Sequence, residues 1–377
     1  MDFSLSDEQQ QLRHSALRFV REHASFERWQ KTVVAGNRAE SGSWQRMAGL
    51  GWLAMTVPEA YGGLGGTPVD TMALMEALGG GFMLEPYIST CVLAPRALAA
   101  ATAEVRAEFL PAIGEGRTQI AVAIGERDGG FDVSHVVTTA KRHDDGFSVS
   151  GFKSYVPDGP AASAFIVPVR TAGAPSDSLG ITLLLVDAAS AGISQNAFRS
   201  IDHRPVAQLQ FDDVRVPGSR VLGQADHGLQ VLEEAIDHAI AAELAEALGV
   251  MEAAKEQTLA YLKTREQFGV MIGSFQALQH RMADIAIACE ETRSLVFYAT
   301  ASLDLPRDAR RRAISAAKAR VGQCGLFVGH QCLQLHGGIG TSDEVAVSHA
   351  LRRLRMLDMR FGNADYHRSI FADLSPA

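Results

Sequence analysis

Three short stretches of this chain carry side chains able to hold a phosphate and a flat ring. In TREQFG, Arg265 stands three residues before Phe268, and Gly269 follows at once. An arginine at an exposed helix end grips phosphate through two parallel hydrogen bonds, and a nearby aromatic covers a planar ring. In SFQALQH, Gln276 lies near the expected start of a helix, where a side chain that both donates and accepts suits a pyrophosphate or an amide-bearing ring. In QLHGGIG, Gln334 precedes the paired Gly337 and Gly338, whose bare backbone lets another group come close. Each stretch also has a plainer reading: a solvated arginine, a core phenylalanine, a surface glutamine, a glycine helix stop. Together they point to a cofactor site.

The elements that must position these residues are legible from periodicity. Leu229, Leu232, Ile236, Ile240, Leu244, Leu248 and Met251 form a long stripe with helical steps, ending near Arg265. Further helices are expected over about 275–302, with Ser274 as N-cap, over about 308–335, and after Asp343. Such helices make a four-helix bundle, where cofactors often lie between helices or at bundle edges. At the other end of the chain, Ser6 and Gln9 have capping-box spacing and open a helix to about His23. Helical patterning then continues in pieces to about Gly114, broken by VPEAYGGLGG. Between these regions the period drops toward two. QIAVAIGE, DVSHVVTTA, GFSVSGFKSYV, SAFIVPVRT, GITLLLVD and VAQLQFDDVRV read as strands of a compact β-barrel or sandwich. The expected plan is an α+β multidomain chain: an N-terminal helical domain (1–117), a small middle β domain (118–223) and a C-terminal helical bundle (224–377).

Composition narrows the function. With 377 residues the chain is long enough for two or three packed units. A net charge of −8 argues against a nucleic-acid or anionic-membrane surface. No run of eighteen apolar residues offers a membrane span, and the acidic, polar start reads as no secretory signal. Cys91, Cys289, Cys324 and Cys332 show no C-x-x-C pairing, which fits buried thiols in a reducing compartment, so a cytoplasmic location is expected. The twelve histidines have no metal-ligand spacing, so no metal is expected. There is no nucleophile elbow or P-loop, and the early glycine clusters do not follow a strand and open a helix.

R-x-x-F-G, then Gln276, then Q-x-H-G-G late in a helical bundle strongly resembles the flavin-binding features of acyl-CoA dehydrogenases. Segments in family order support the likeness: VPEAYGGLGG, IAVAIGERDGGFD, GFKSYVPDG and FDDVRVPGSRVLG. LEPY (84–87), TREQFG followed by IGSFQALQH, and FGNADYH (361–367) look most like the small subunits of pimeloyl-CoA dehydrogenases. The resemblance implies the acyl-CoA dehydrogenase fold, with FAD between the β domain and the bundle, part of its adenosine diphosphate lying against a neighbouring subunit. Arg265 and Gln276 would meet the pyrophosphate side and Phe268 the adenosine. Gln334, Gly337 and Gly338 would line the same nucleotide from a partner chain. Ile124, Gly125, Tyr155 and Pro157 would flank the isoalloxazine. Gly125 and Pro157 depart from the family's threonines, and Pro157 offers neither hydroxyl nor N–H. The implied partners are an acyl-CoA substrate, an electron-transferring flavoprotein and a dimeric or tetrameric assembly.

The implied reaction is α,β-dehydrogenation of an acyl-CoA thioester, which needs a close, desolvated carboxylate to take the α-proton. The family's usual glutamate falls on Phe361, before Gly362, and the alternative helical position falls on Ala239, beside Ile240; none of these can serve. Nearby acids are Glu243, Glu246, Asp358 and Asp365, of which Asp365 and Glu246 are the candidates carried forward. Two readings remain open: a complete flavoenzyme with an unconventional acid, or a flavin-binding, non-catalytic subunit completing sites on a base-bearing large subunit. A flavin oxidase or oxygenase on the same fold is a further alternative, as is a helical structural protein without flavin.

Overall fold

The computed structural model describes residues 4–35 and 42–375. The N-terminal region is helical: α1 (Asp7–His23), α2 (Phe26–Ala35), α3 (Ser43–Gly49), α4 (Pro68–Gly79), α5 (Ala94–Leu98) and α6 (Ala103–Gly114). α1 starts as its sequence predicts. The Gln9 N–H donates to the Ser6 hydroxyl at 3.2 Å and the Ser6 N–H to the Gln9 side chain at 3.0 Å. The loop at 57–66 turns tightly because Gly63 has no side chain; a Cβ there would stand 1.9 Å from the Val57 carbonyl oxygen. Just before α5 the chain makes a six-residue π-helical turn, Ile88–Leu93, which periodicity does not announce.

The middle domain is one eight-stranded sheet in the order β6-β7-β3-β2-β4-β5-β8, with β1 joining β4 in parallel. Its strands are β1 (Ile120–Val122), β2 (Thr139–His143), β3 (Gly146–Pro157), β4 (Ala164–Arg170), β5 (Ile181–Asp187), β6 (Ile193–Arg199), β7 (Pro205–Pro217) and β8 (Val221–Leu222). Phe147, Val149, Phe165, Val167, Leu184 and Phe211 lie in its shared core, as inward-facing strand residues should. One strand expectation needs correction, and one strand is present that was not expected. DVSHVVTTA is a loop up to Thr138, because the Val137 and Thr138 N–H groups donate to the Glu126 carboxylate at 2.6 and 3.1 Å rather than to a strand. β6 is a strand that alternation does not reveal, since nearly all its residues are exposed and it is held by its ladder to β7.

Two buried cations organise that loop and its surroundings. Arg170 donates to five carbonyl oxygens, those of Ser134, Val136, Pro175, Asp177 and Leu179. Lys153, with no exposed surface, donates to Glu126 at 2.6 Å and to the Pro168 carbonyl at 2.8 Å. Burial draws the Lys153 ammonium down to about 8. Burial would raise Glu126, yet the Lys153 charge and the hydrogen bonds it receives hold it below the usual carboxylate range.

The C-terminal region contains α7 (Gly228–Thr264), a hairpin of β9 (Glu266–Gln267) and β10 (Val270–Met271), α8 (Gln276–Ala301), α9 (Arg307–His336), α10 (Ala346–Met359) and α11 (Ala364–Asp373). The expected bundle therefore has a fifth helix. Asn363 caps it, accepting from the Tyr366 N–H at 3.0 Å. α9 is central, packing against α8, α10 and α11. α4 and α7 cross in backbone contact: a Cβ on Gly79 would lie 2.3 Å from the Glu246 carbonyl oxygen, and one on Gly249 2.0 Å from that of Glu76. Among the described residues no helix is long and apolar enough to cross a membrane. All four cysteines are buried and unbridged.

Packing groups the chain differently from element type. One compact unit holds Met1–Asn37, Pro68–Met83 and Ile240–Ala377; the other holds Arg38–Thr67 and Leu84–Ala239, including the sheet. The N-terminal helices are thus shared out between the two.

Breaking the Lys153–Glu126 pair should show its cost. We expect Lys153→Met to lose about 3–5 kcal/mol in urea unfolding, because it strands a buried carboxylate, and Lys153→Met with Glu126→Gln to recover part of that. Because the folded carboxyl of Glu126 lies below its unfolded value, its contribution is present above the ordinary carboxylate range and lost as pH falls below it. Equal losses in the single and double variants would refute the assignment.

Candidate cofactor site

Contacts beside the three chemically suggestive stretches tie α7, α8 and α9 to one another. The Tyr261 ring on α7 stacks on His336 of α9, centroids 4.5 Å apart. Arg281 of α8 donates to Gln331 of α9 at 2.9 Å, and the Ile272 N–H to the Arg265 carbonyl at 2.8 Å. His336 lies 2.8 Å through Nδ1 from the Cys332 carbonyl oxygen, and burial lowers its pKa, so the stacked ring is a neutral imidazole donating from Nδ1.

Gly269 does more than break a helix. Gln267 pairs with Val270 and Glu266 with Met271, so Phe268 and Gly269 are the two tip residues of a hairpin, at φ +55° and +77°. Two positive φ values are what a tight two-residue hairpin turn demands, usually of Asn and Gly. Phe268 accepts that strain while 93% exposed, its ring edge-on to Phe275 at 6.3 Å. An exposed aromatic on a strained tip points to a task outside this chain's own packing.

Ser274 is not the N-cap of α8. Its hydroxyl donates to the Met271 carbonyl at 2.7 Å, and Phe275 takes the cap position with no side-chain hydrogen bond. Gln276, in the first turn, is exposed. Gln334, Gly337 and Gly338 are exposed as well. Gly337 has φ +66°, which the helix stop alone explains. Gly338 has no such need, and a Cβ on it would meet nothing within 4 Å. The chain's own packing therefore gives no reason for its bare backbone.

A second group lies on the sheet. Gly125 bridges Tyr155, and the Ser154 N–H donates to the Gly125 carbonyl at 2.8 Å. A Cβ on Gly125 would come within 3.0 Å of the Tyr155 carbonyl oxygen, so a threonine here would be crowded. Ile124, Gly125, Tyr155 and Pro157 are all half-buried, and the Tyr155 ring lies 6.4 Å from Phe198 on β6. The structure also has an open cleft of about 480 Å³ bordered by Arg127, Thr138, Phe152 and Gln210, with the Arg127 guanidinium 5.7 Å from the Phe152 ring centre. Sequence reasoning missed it, because its residues come from a loop and two strands with no shared spacing.

The acids near the positions where a base would be sought are engaged by cations. Asp365 is exposed and paired with Arg368. Glu246 is buried with Arg353 at 3.6 Å. Glu243 lies between Lys318 at 3.5 Å and Arg360 at 3.0 Å. Asp358 faces Arg355 at 3.4 Å and accepts from the Ala364 N–H at 3.2 Å. Phe361 sits at φ +58° under the Arg360 guanidinium, 5.1 Å from its ring centre. Its carbonyl lies 3.0 Å from His367 Nε2. Burial and the nearby Lys318 push His367 down to about 3, so it is neutral and donates. Ala239 and Ile240 are buried and apolar. Among the described residues no group of three acids, histidines or cysteines is arranged to hold a metal.

Three family models match in succession: the N-terminal domain of acyl-CoA dehydrogenases over residues 6–117, the middle domain over 121–214 and the C-terminal domain over 226–374. The chain belongs to the acyl-CoA dehydrogenase family. Among solved structures it is 30% identical to the Tcur3481-Tcur3483 steroid ACAD variant, with 98% of each chain covered and a TM-score of 0.87. It is 26% identical to a chain of the ChsE4-ChsE5 complex of Mycobacterium tuberculosis, covering 100% of both with a TM-score of 0.89. Acryloyl-CoA reductase (NADH) of Anaerotignum propionicum is 27% identical over 380 residues, 99% of this chain and 95% of the relative. The helical, β, helical order of the acyl-CoA dehydrogenase fold is thus present throughout the chain.

The hairpin tip offers a direct check. Phe268→Asn should raise the unfolding free energy by about 1 kcal/mol, since Asn tolerates positive φ better. Urea unfolding of the cofactor-free protein measures it, and a loss of stability would show that the Phe268 backbone carries no strain.

Proposed function

We propose that this chain binds FAD and serves as the small subunit of a hetero-oligomeric acyl-CoA dehydrogenase, acting in α,β-dehydrogenation of an acyl-CoA thioester. What supports the reading is that Phe268, Gln276, Gln334, Gly337 and Gly338 are exposed rather than used in the chain's own packing, while the acids where the proton acceptor would be sought lie in ion pairs. The residues present fit the cofactor. Arg265 and Gln276 bind the pyrophosphate, and Phe268 packs on the adenosine from its strained tip. Gln334, Gly337 and Gly338 of a neighbouring subunit let that nucleotide approach their backbone, which accounts for the open space over Gly338. Ile124, Gly125, Tyr155 and Pro157 flank the ring, with two fewer hydroxyls than the family pattern supplies.

FAD, when bound, supplies the redox chemistry by accepting the β-hydrogen as hydride. This chain's residues bind and orient; they provide no unpaired carboxylate at the sequence-indicated base positions. Phe361 is apolar, Ala239 is apolar, and Asp365 and Glu246 already face guanidinium groups. A proton acceptor from a large subunit completes the site in this reading, and an electron-transferring flavoprotein takes the electrons. The assembly is a dimer or tetramer in the cytoplasm, where four buried thiols stay reduced.

The purified chain should be yellow. Mixed anaerobically with an acyl-CoA it should keep its colour, and it should bleach only when a base-bearing large subunit is added. Bleaching by the chain alone would overturn the partner role; a protein that takes up no FAD would overturn the flavin assignment. Oxygen uptake with acyl-CoA would instead favour an oxidase. In a separate measurement, Gly338→Ala should keep the stability of the chain within about 0.5 kcal/mol yet weaken FAD retention. Unchanged retention would remove Gly338 from the nucleotide site.

A further inference from the structure

The two strand segments assigned to the flavin ring, Ile124–Gly125 beyond β1 and Tyr155–Pro157 at the end of β3, meet at the Gly125–Tyr155 bridge, where one ladder is short and the other irregular. β1 pairs over only three residues, and the β3–β7 register shifts between Lys153 and Val156. A different element reaches both. In the π-helical turn Ile88–Leu93, the Thr90 hydroxyl donates to the Ile120 carbonyl at 3.1 Å and accepts from the Ile120 N–H at 3.1 Å. Both backbone groups of the first residue of β1 are thereby held by one side chain. The preceding residue, Ser89, donates to Asp158 Oδ2 at 2.6 Å. Asp158 follows directly on Pro157, is 2% exposed, stands at φ +62° and donates its N–H to the Pro205 carbonyl at 2.9 Å. Aspartate is one of the few residues that enter the left-handed region, and here a buried hydrogen bond keeps it there. Two consecutive residues, 2% and 0% exposed, thus grip two different strands. π-Helical turns are rare and concentrate at functional sites, which accords with a task beyond packing.

Resting on the flavin reading above, we propose that Ser89 and Thr90 are positioning residues for the ring-flanking edge. Thr90 sets where β1 begins, Ser89 sets through Asp158 where β3 ends, and the pair braces from behind the two segments that the Gly125–Tyr155 bridge joins.

The test uses the full chain reconstituted with FAD, comparing wild type with Thr90→Val, Thr90→Ser and Ser89→Ala. The readouts are FAD affinity, the flavin visible spectrum and the flavin midpoint potential. Thr90→Val leaves two buried backbone groups unpaired, and we expect FAD affinity about tenfold weaker with a shifted visible band. Thr90→Ser restores the hydroxyl and should return both to wild-type values. Ser89→Ala should shift the midpoint potential. If Thr90→Val does not fold, Ser89→Ala and Thr90→Ser decide: a potential moved by the first and untouched by the second supports the proposal. Wild-type affinity, spectrum and potential in the folded Val and Ala variants overturn it while leaving the proposed function intact. A wild-type chain that takes up no FAD overturns both.

Discussion

The helical unit depends on charges that have been taken out of water. Glu243 and Glu246, one turn apart on α7, are buried, and so are Lys318 on α9 and Arg353 on α10. Removing such groups from water costs several kcal/mol each, and only close opposite charges and hydrogen bonds offset it. The geometry is correspondingly constrained. Lys318 faces Glu243 and donates to the Leu357 carbonyl, Arg360 reaches the same glutamate, and Arg353 meets Glu246 and the Met83 carbonyl. α7, α9 and α10 cannot slide past one another without stranding a charge. The exposed glycine pair at the end of α9 and the strained Phe361 at the end of α10 inherit their positions from that lock.

The same lock bears on chemistry. A carboxylate useful for abstracting a weakly acidic proton must be desolvated yet uncompensated, so that taking the proton relieves it. Glu243 and Glu246 meet the first condition and fail the second. Asp365 fails the first. The chain has acids near the expected places and uses them to hold helices.

Much of this was legible in the sequence. The Leu229–Met251 stripe is buried along α7, and the Ser6–Gln9 spacing is a real capping box, because both signals act within a few residues. What was illegible depends on distant partners or on missing contrast. DVSHVVTTA has strand composition, but the carboxylate that claims its amides comes from Glu126. β6 is exposed along its length, so no alternation marks it. Gly269 reads as a helix break whether a loop or a hairpin follows, and Phe268 gives no hint that it tolerates positive φ. Ser274 looked like a cap because serine usually is one, but a single turn before α8 claimed its hydroxyl. The Lys153–Glu126 pair and the Ser89–Thr90 brace join residues whose spacing in sequence means nothing until the sheet forms.

The crossing of α4 and α7 has a bearing on how such a chain can drift. The atom that faces Gly79 is the carbonyl oxygen of Glu246, the very residue whose side chain meets Arg353. A methyl group at position 79 would push apart two rods already in backbone contact, and the displaced rod carries the ion pair with it. A small, silent-looking glycine at this crossing therefore guards an electrostatic contact as well as the packing of two helices.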